Sequence, residues 1–382
     1  MSEINADSLE QLQQRRSAKW RGFDKDVLPL PVAEMDFPIA QPIKDALIDM
    51  IQRSDVGYGG IIPEFGLAFS QFSKDFWDWD VDPQQIRLAT DVGVAGVEVL
   101  RAVCWPGDKV VINSPVYHNF YNWIKEAHCD LIDVPLSHDG NGTWTLNFEA
   151  LEKAFADGAK VYLLCSPHNP MGTVFTREEL VRIAALAKKY NVVVISDEIH
   201  APLTFVDSFV PFLAVSDEAR EVGICITAAS KTWNLAGLKC AQIVTDNVEM
   251  HAKLDALPIS VPWRASILGA WASTVAYNDG REWLADIIGH LKANQQFLKE
   301  QLALHVPKAR YFISDSTYLA WIDLSAYVID DPAKVLVEKG RVAFNDGADF
   351  GPAGKNHIRL NFATSQVILA EAIKRMASVL EA

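Results

Sequence analysis

Between about Leu88 and Asp246 the chain repeatedly sets a short β-branched run beside a turn and then a helical pattern. That rhythm restricts it to an α/β fold with a mostly parallel sheet. Five runs carry the pattern: KVVINSP (109–115), KVYLLCSP (160–167), NVVVISDE (191–198), VGICITAAS (222–230) and KCAQIVTD (239–246). Between the second and third, TREELVRIAALAKKY reads as a helix, with Thr176 as its cap, Glu178 and Glu179 at the positive end and two lysines near the other.

After Pro262 the character changes. A helical stretch from Arg281 to Leu302, the alternating run STYLAWIDLSAY and a closing helix from Gln366 to Leu380 predict a second, smaller α+β domain. The proline-rich VLPLPVAEMDFP has too few periodic positions for a helix and too many prolines for a central strand, so it reads as an extended arm. The expected division is residues 1–50 as arm and part of the small domain, 51–275 as the large domain and 276–382 as the rest of the small domain. At 382 residues, 49% of them hydrophobic, the chain can bury cores for both. No internal repeat or low-complexity segment interrupts it.

Thirty-five basic against 49 acidic side chains leave a formal charge of −14, which opposes attraction to nucleic acid or an anionic membrane surface. The five cysteines are scattered and lack the close pairing of zinc or redox motifs, so they read as reduced thiols, and the nine histidines show no metal spacing. The amino-terminal MSEINADSLEQLQQRR is polar, and no later window is apolar enough to span a bilayer, which points to the cytoplasm.

Ligands of open α/β sheets bind beyond the carboxyl ends of the strands. Four run ends carry unusual polar groups: Tyr117; His168 and Asn169; Asp197, Glu198 and His200; Ser230 and Lys231. A lysine at an apolar strand end is costly to desolvate and tends toward a lowered pKa, which suits Schiff-base chemistry, although a single lysine after a strand is more often a solvated loop residue. Asp197 suits an anionic partner for a cationic ring, or equally a helix cap or ion pair. The segment TDVGVAGVEVL (90–100) joins a glycine turn to a helix start, where backbone N–H groups favour a phosphate, yet it matches neither the dinucleotide fingerprint nor the P-loop. Of the eleven tryptophans, most read as packing; Trp233, two residues after the lysine, stands nearest the motif.

Taken in order, GVA (93–95), PVY, SPHNPMG, ISDEIH, SK and HIRLNFA resemble the fold-type I pyridoxal 5′-phosphate (PLP) enzymes of the aspartate aminotransferase superfamily, from about Val32 to the carboxyl terminus. The resemblance implies the PLP-dependent transferase fold, with PLP held by Lys231 through a Schiff base, Asp197 on the pyridine nitrogen and Asn169 donating to the ring hydroxyl oxygen. It also implies that Tyr117 stacks on the ring and that Arg359 clamps the substrate carboxylate, near Ala33. Gly93, the amides of Val94 and Ala95, and the Ser230 hydroxyl would hold the phosphate. Tyr58, in DVGYGG, resembles the tyrosine that reaches the phosphate of a neighbouring subunit, which implies a homodimer with shared sites.

His200 stands where many relatives carry a tyrosine, Ala228 where a serine or threonine is common, and Lys239 where an arginine is common, so the charge is kept without the bidentate fork. These departures, the stretch NLAGLK and the early VAEMDFP resemble the MalY/PatB-type group of carbon–sulfur lyases. Glu34 replaces that group's usual aspartate, and Pro31 a frequent aromatic residue. The implied reaction is β-elimination from cystathionine or a related cysteine S-conjugate, giving thiol, pyruvate and ammonia. An aminotransferase of the same fold is the alternative, because lysine, aspartate and arginine serve both outcomes. The intact set of site residues argues against a pure binding or regulatory module.

Overall fold

In the computed structural model, which describes residues 4–382, the five apolar runs form five consecutive strands of one seven-stranded sheet. Its members are β1 (Ile86–Ala89), β2 (Lys109–Ile112), β3 (Asp130–Asp133), β4 (Ala159–Cys165), β5 (Val193–Asp197), β6 (Gly223–Thr227) and β7 (Ala241–Val244), in the order β1-β7-β6-β5-β4-β2-β3. Neighbours from β6 to β3 pair in parallel, while β7 runs antiparallel to both β6 and β1. The first three residues of the polar amino-terminal stretch lie outside the described residues.

The strands are apolar throughout because both faces are covered. Val161, Leu163, Ile195 and Ile224 enter one buried cluster, whereas Tyr162, Leu164, Val194 and Cys225 point to the other face and join a second. The helix α1 (Val92–Val103) follows β1, and α2 (Asn119–Glu126) follows β2. The two pack so closely that a Cβ at Gly96 would lie 2.5 Å from the Trp123 ring. The helix expected after β4 is α3 (Arg177–Tyr190), opened by a capping box in which Thr176 Oγ1 accepts the Glu179 N–H at 3.2 Å and Glu179 accepts the Thr176 N–H at 2.8 Å.

The smaller unit is a four-stranded antiparallel sheet of β8 (Arg310–Tyr311), β9 (Leu319–Asp323), β10 (Asn345–Asp346) and β11 (His357–Asn361), in the order β8-β9-β11-β10. It is accompanied by α4 (Arg281–His305) and α5 (Gln366–Leu380), at the places the periodicity predicts. The boundary expected between residues 275 and 276 falls inside the helix Ile267–Asp279, and the nearest interruption is Gly280.

The proline-rich arm is extended, as expected. Leu28–Pro29 pairs with Val342–Ala343, and the Asn361 N–H donates to the Leu30 carbonyl at 2.9 Å. A fully buried ion pair, Lys19 Nζ to Asp36 Oδ1 at 2.8 Å, anchors the arm from the amino-terminal side, with the Trp20 indole N–H on the same carboxylate oxygen at 3.0 Å. Among the described residues, no helix is long and apolar enough to cross a membrane.

Candidate active site

A cleft of about 490 Å³ opens beyond the carboxyl ends of β1, β2, β4, β5 and β6, and its other wall comes from the arm and the small sheet. Parallel strands deliver their next residues to one edge, so Tyr117, Asn169, Asp197 and Lys231 all reach it. The pairing of Cys165 with Asp197 and of Asp197 with Ile226 fixes the height of the aspartate between its neighbours.

Lys231 sits in the short helical turn Ala229–Thr232 directly after β6, and its amine donates to the Ala33 carbonyl at 3.0 Å. Desolvation lowers its pKa to about 8, the Arg359 cation pushes the same way, and Asp197 and Glu34 oppose them. Asp197 ends β5 and accepts the Ile199 N–H at 3.2 Å. Burial raises its pKa to about 7, against the pull of the Ile199 amide and of Lys231. A carboxylate in this position is relieved by a cationic partner.

Arg359, on β11, is almost completely buried over the Phe350 ring. Its fork donates to Asn169 Oδ1 at 3.0 Å, to the Pro31 carbonyl at 3.0 Å and to Asn345 Oδ1 at 2.6 Å. Its Nε is buried without a partner, and burial brings its pKa down to about 10. Because Arg359 occupies the carbonyl oxygen of Asn169, that side chain turns its amide nitrogen elsewhere.

His200 is buried with Nδ1 unpartnered, and desolvation lowers its pKa to about 3, so the ring is neutral. Tyr117 lies at the cleft wall, its hydroxyl accepting from Asn119 at 2.7 Å, and burial raises its pKa. His118 lines the cleft beside it, whereas His168 is buried outside it with neither ring nitrogen partnered. Trp233 faces away and gives its indole N–H to the Gly280 carbonyl at 2.9 Å.

At the amino end of α1 the expected contacts need correction. Val94 gives its N–H to Asp91 Oδ1 at 2.9 Å, and Ala95 gives its own to the Asp91 carbonyl at 2.9 Å. Neither residue lines the cleft; Asp91, Val92 and Gly93 do. The physical reason is the helix start. Asp91 is the N-cap, so the exposed first turn begins at Val92.

Ser230 and Lys239 both line the cleft, and Lys239 Nζ pairs with Asp91 Oδ2 at 2.8 Å. Ala33 lines it through the arm. Tyr58 does not: it lies outside the cleft, 86% exposed, with its ring 6.1 Å from that of Trp263. Sequence reasoning missed Asn345 and Asn119, which hold Arg359 and Tyr117, and neither carries a local signal.

The residues fit PLP. They combine an amine of lowered pKa, a buried carboxylate for the ring nitrogen, a neutral imidazole with an unpartnered nitrogen and a helix start for the phosphate.

The family model for aminotransferases of class I and II matches residues 25–376. A cystathionine beta-lyase of Corynebacterium glutamicum is 38% identical over 374 residues, covering 97% of this chain and 99% of the relative. The cystathionine beta-lyase PatB of Bacillus subtilis is 30% identical and covers 99% of this chain and 100% of its own. Among solved structures, cystalysin of Treponema denticola, which contains a pyridoxal 5′-phosphate cofactor, superposes with a TM-score of 0.92 at 28% identity, covering 100% of this chain and 98% of that one.

Proposed function

The chain belongs to the class I and II aminotransferase family, and from that footing we propose that it is a PLP-dependent carbon–sulfur β-lyase. Its substrate is cystathionine or a related cysteine S-conjugate, and its products are a thiol, pyruvate and ammonia. The observation that carries this reading is the 38% identity, over nearly the full length of both chains, to a cystathionine beta-lyase.

Held by Lys231, PLP supplies an electron sink for the charge that develops at the substrate Cα. Asp197 keeps a proton on the ring nitrogen, and that proton relieves its own desolvation. Asn169 and His200 would hold the ring oxygen, and Tyr117 would hold the ring itself. Arg359 grips the substrate carboxylate with its planar fork. Once free, the Lys231 amine takes the Cα proton; a pKa of about 8 leaves a working fraction unprotonated near neutrality. With sulfur on Cβ, the lysine that took the Cα proton would be placed to return one to the departing sulfur, and the net conversion, consuming one water, would give thiol, pyruvate and ammonia. Val92, Gly93, Ser230 and Lys239, which line the cleft together, would hold the phosphate.

The protein works as a cytoplasmic homodimer in this reading. An exposed apolar face carrying Tyr58, Ile61 (94% exposed) and Ile259 (75% exposed) borders a cleft of about 820 Å³ lined by Leu67, Leu257 and Val261, and a second copy suits such a face. Tyr58 then reaches the partner's phosphate site.

The test is incubation of purified protein with L-cystathionine and PLP in the absence of any keto acid. Sustained release of pyruvate, ammonia and thiol is expected. A single turnover that stalls until a keto acid is added would make the protein an aminotransferase.

A further inference from the structure

The arm crosses the cleft as a strap whose carbonyls are taken one after another by donors from elsewhere in the chain. Leu30 accepts the Asn361 backbone N–H at 2.9 Å, and Pro31 accepts from Arg359 at 3.0 Å. Val32 and Glu34 accept the two N–H groups of one side-chain amide, Asn361 Nδ2, each at 2.7 Å. Between those two grips lies the Ala33 carbonyl, which receives both the Lys231 amine and the Tyr318 hydroxyl at 3.0 Å. On the far side Asn234, on the turn that follows the lysine, closes a two-way pair with Met35: Oδ1 accepts the Met35 N–H, and Nδ2 donates to the Met35 carbonyl, both at 2.9 Å.

Asn361 is fully buried, and both ends of its amide are employed, since Oδ1 accepts the Ala363 N–H at 2.8 Å. A buried amide with every group satisfied fixes its partners in place, because any displacement leaves a desolvated donor or acceptor unpaired.

We propose that Asn361 is a positioning residue for Lys231: by gripping the carbonyls on either side of Ala33, it holds the Ala33 carbonyl as the acceptor on which the lysine amine rests when free. The inference rests on the PLP reading of Lys231, but not on the fate of the sulfur. A carbonyl that binds one N–H of the amine orients the lone pair for the Cα proton and favours the ammonium form. Tyr318 competes for the same oxygen. The other charged groups that act on this amine are Asp197 and Glu34, which favour its charge, and Arg359 and Lys239, which oppose it; neutral His200 also lines the site.

The experiment follows exchange of the α-proton of L-alanine in D2O by NMR with the PLP-loaded enzyme. Alanine has no β-leaving group, so exchange reports the lysine alone. In Asn361→Ala, with cofactor absorbance retained, exchange is expected to slow about tenfold or more, and the pH limb of the rate moves to lower pH as the ammonium loses its acceptor. Tyr318→Phe, which leaves the strap intact and frees the Ala33 oxygen for the lysine, moves the limb to higher pH. An unchanged rate and limb in folded Asn361→Ala overturns the proposal, and so does an unmoved limb in Tyr318→Phe if the first variant fails to fold. Normal exchange in the wild type without pyruvate release from cystathionine would instead overturn the lyase reading and leave this one standing.

Discussion

The two walls of the cleft are built on opposite principles. On the strand-end wall, Asp197 and Lys231 present side-chain chemistry to the cleft, and their backbone serves to place them. On the arm wall the relation is reversed: Asn361, Arg359, Asn234 and Tyr318 spend their side chains holding main-chain carbonyls of residues 31–35. In the proposed reading, one wall reacts and the other registers. Damage to the first should therefore remove chemistry outright, and damage to the second should loosen binding or timing.

The largest expected effect is on the reacting wall. Lys231→Ala should lose the visible absorbance of the bound cofactor and at least about 10⁴-fold in turnover, measured as pyruvate release; surviving activity would place the reactive amine elsewhere. Asp197→Asn keeps the shape and removes the charge, so cofactor binding should persist while kcat falls on the order of 10²–10³-fold. A fall in cofactor affinity with kcat intact would assign Asp197 to the registering kind.

Arg359→Lys tests the opposite wall. The single ammonium cannot serve Asn169, Asn345, the Pro31 carbonyl and a substrate carboxylate together, so kcat/KM should drop by about 1.5–3 kcal/mol, chiefly through KM. A pure kcat effect would move Arg359 to the chemical side. The smallest effect is expected at Lys239→Ala, whose pair with Asp91 has side chains 54% and 37% exposed. Its removal should cost less than about 1 kcal/mol of stability in urea unfolding, and a larger loss confined to PLP affinity would show that the lysine serves the phosphate.

The same division explains what was legible in the sequence. Strand ends are contiguous with the runs that announce them, so Asp197, Asn169 and Lys231 could be picked out along with the sheet. The segment 90–100 was read as a glycine turn joined to a helix start without its first residue, because a glycine turn marks a helix start only loosely; Asp91 as cap was the finer signal. The strap was read as extended, yet its hydrogen bonds were invisible. Every residue carries a carbonyl, and Asn345 and Asn361 are isolated asparagines until the fold brings them to Arg359 and the arm. Tyr58 illustrates the remaining gap, since its ring lies exposed and outside the cleft of its own chain, and its place in a shared site belongs to the proposed dimer.

A strap held by its carbonyls makes little use of the identity of its side chains. Pro31, which departs from the residue frequent in the carbon–sulfur lyase group, sits in a segment gripped through main-chain oxygens that any amino acid would supply, whereas the Glu34 carboxylate is itself employed, accepting from Ser17 Oγ at 2.7 Å. Positions 31–33, which line the cleft, should therefore form a stretch where sequence drifts freely while geometry does not, a place where related proteins can exchange side chains at the mouth of the cleft and diverge in substrate preference without rebuilding the lysine's surroundings.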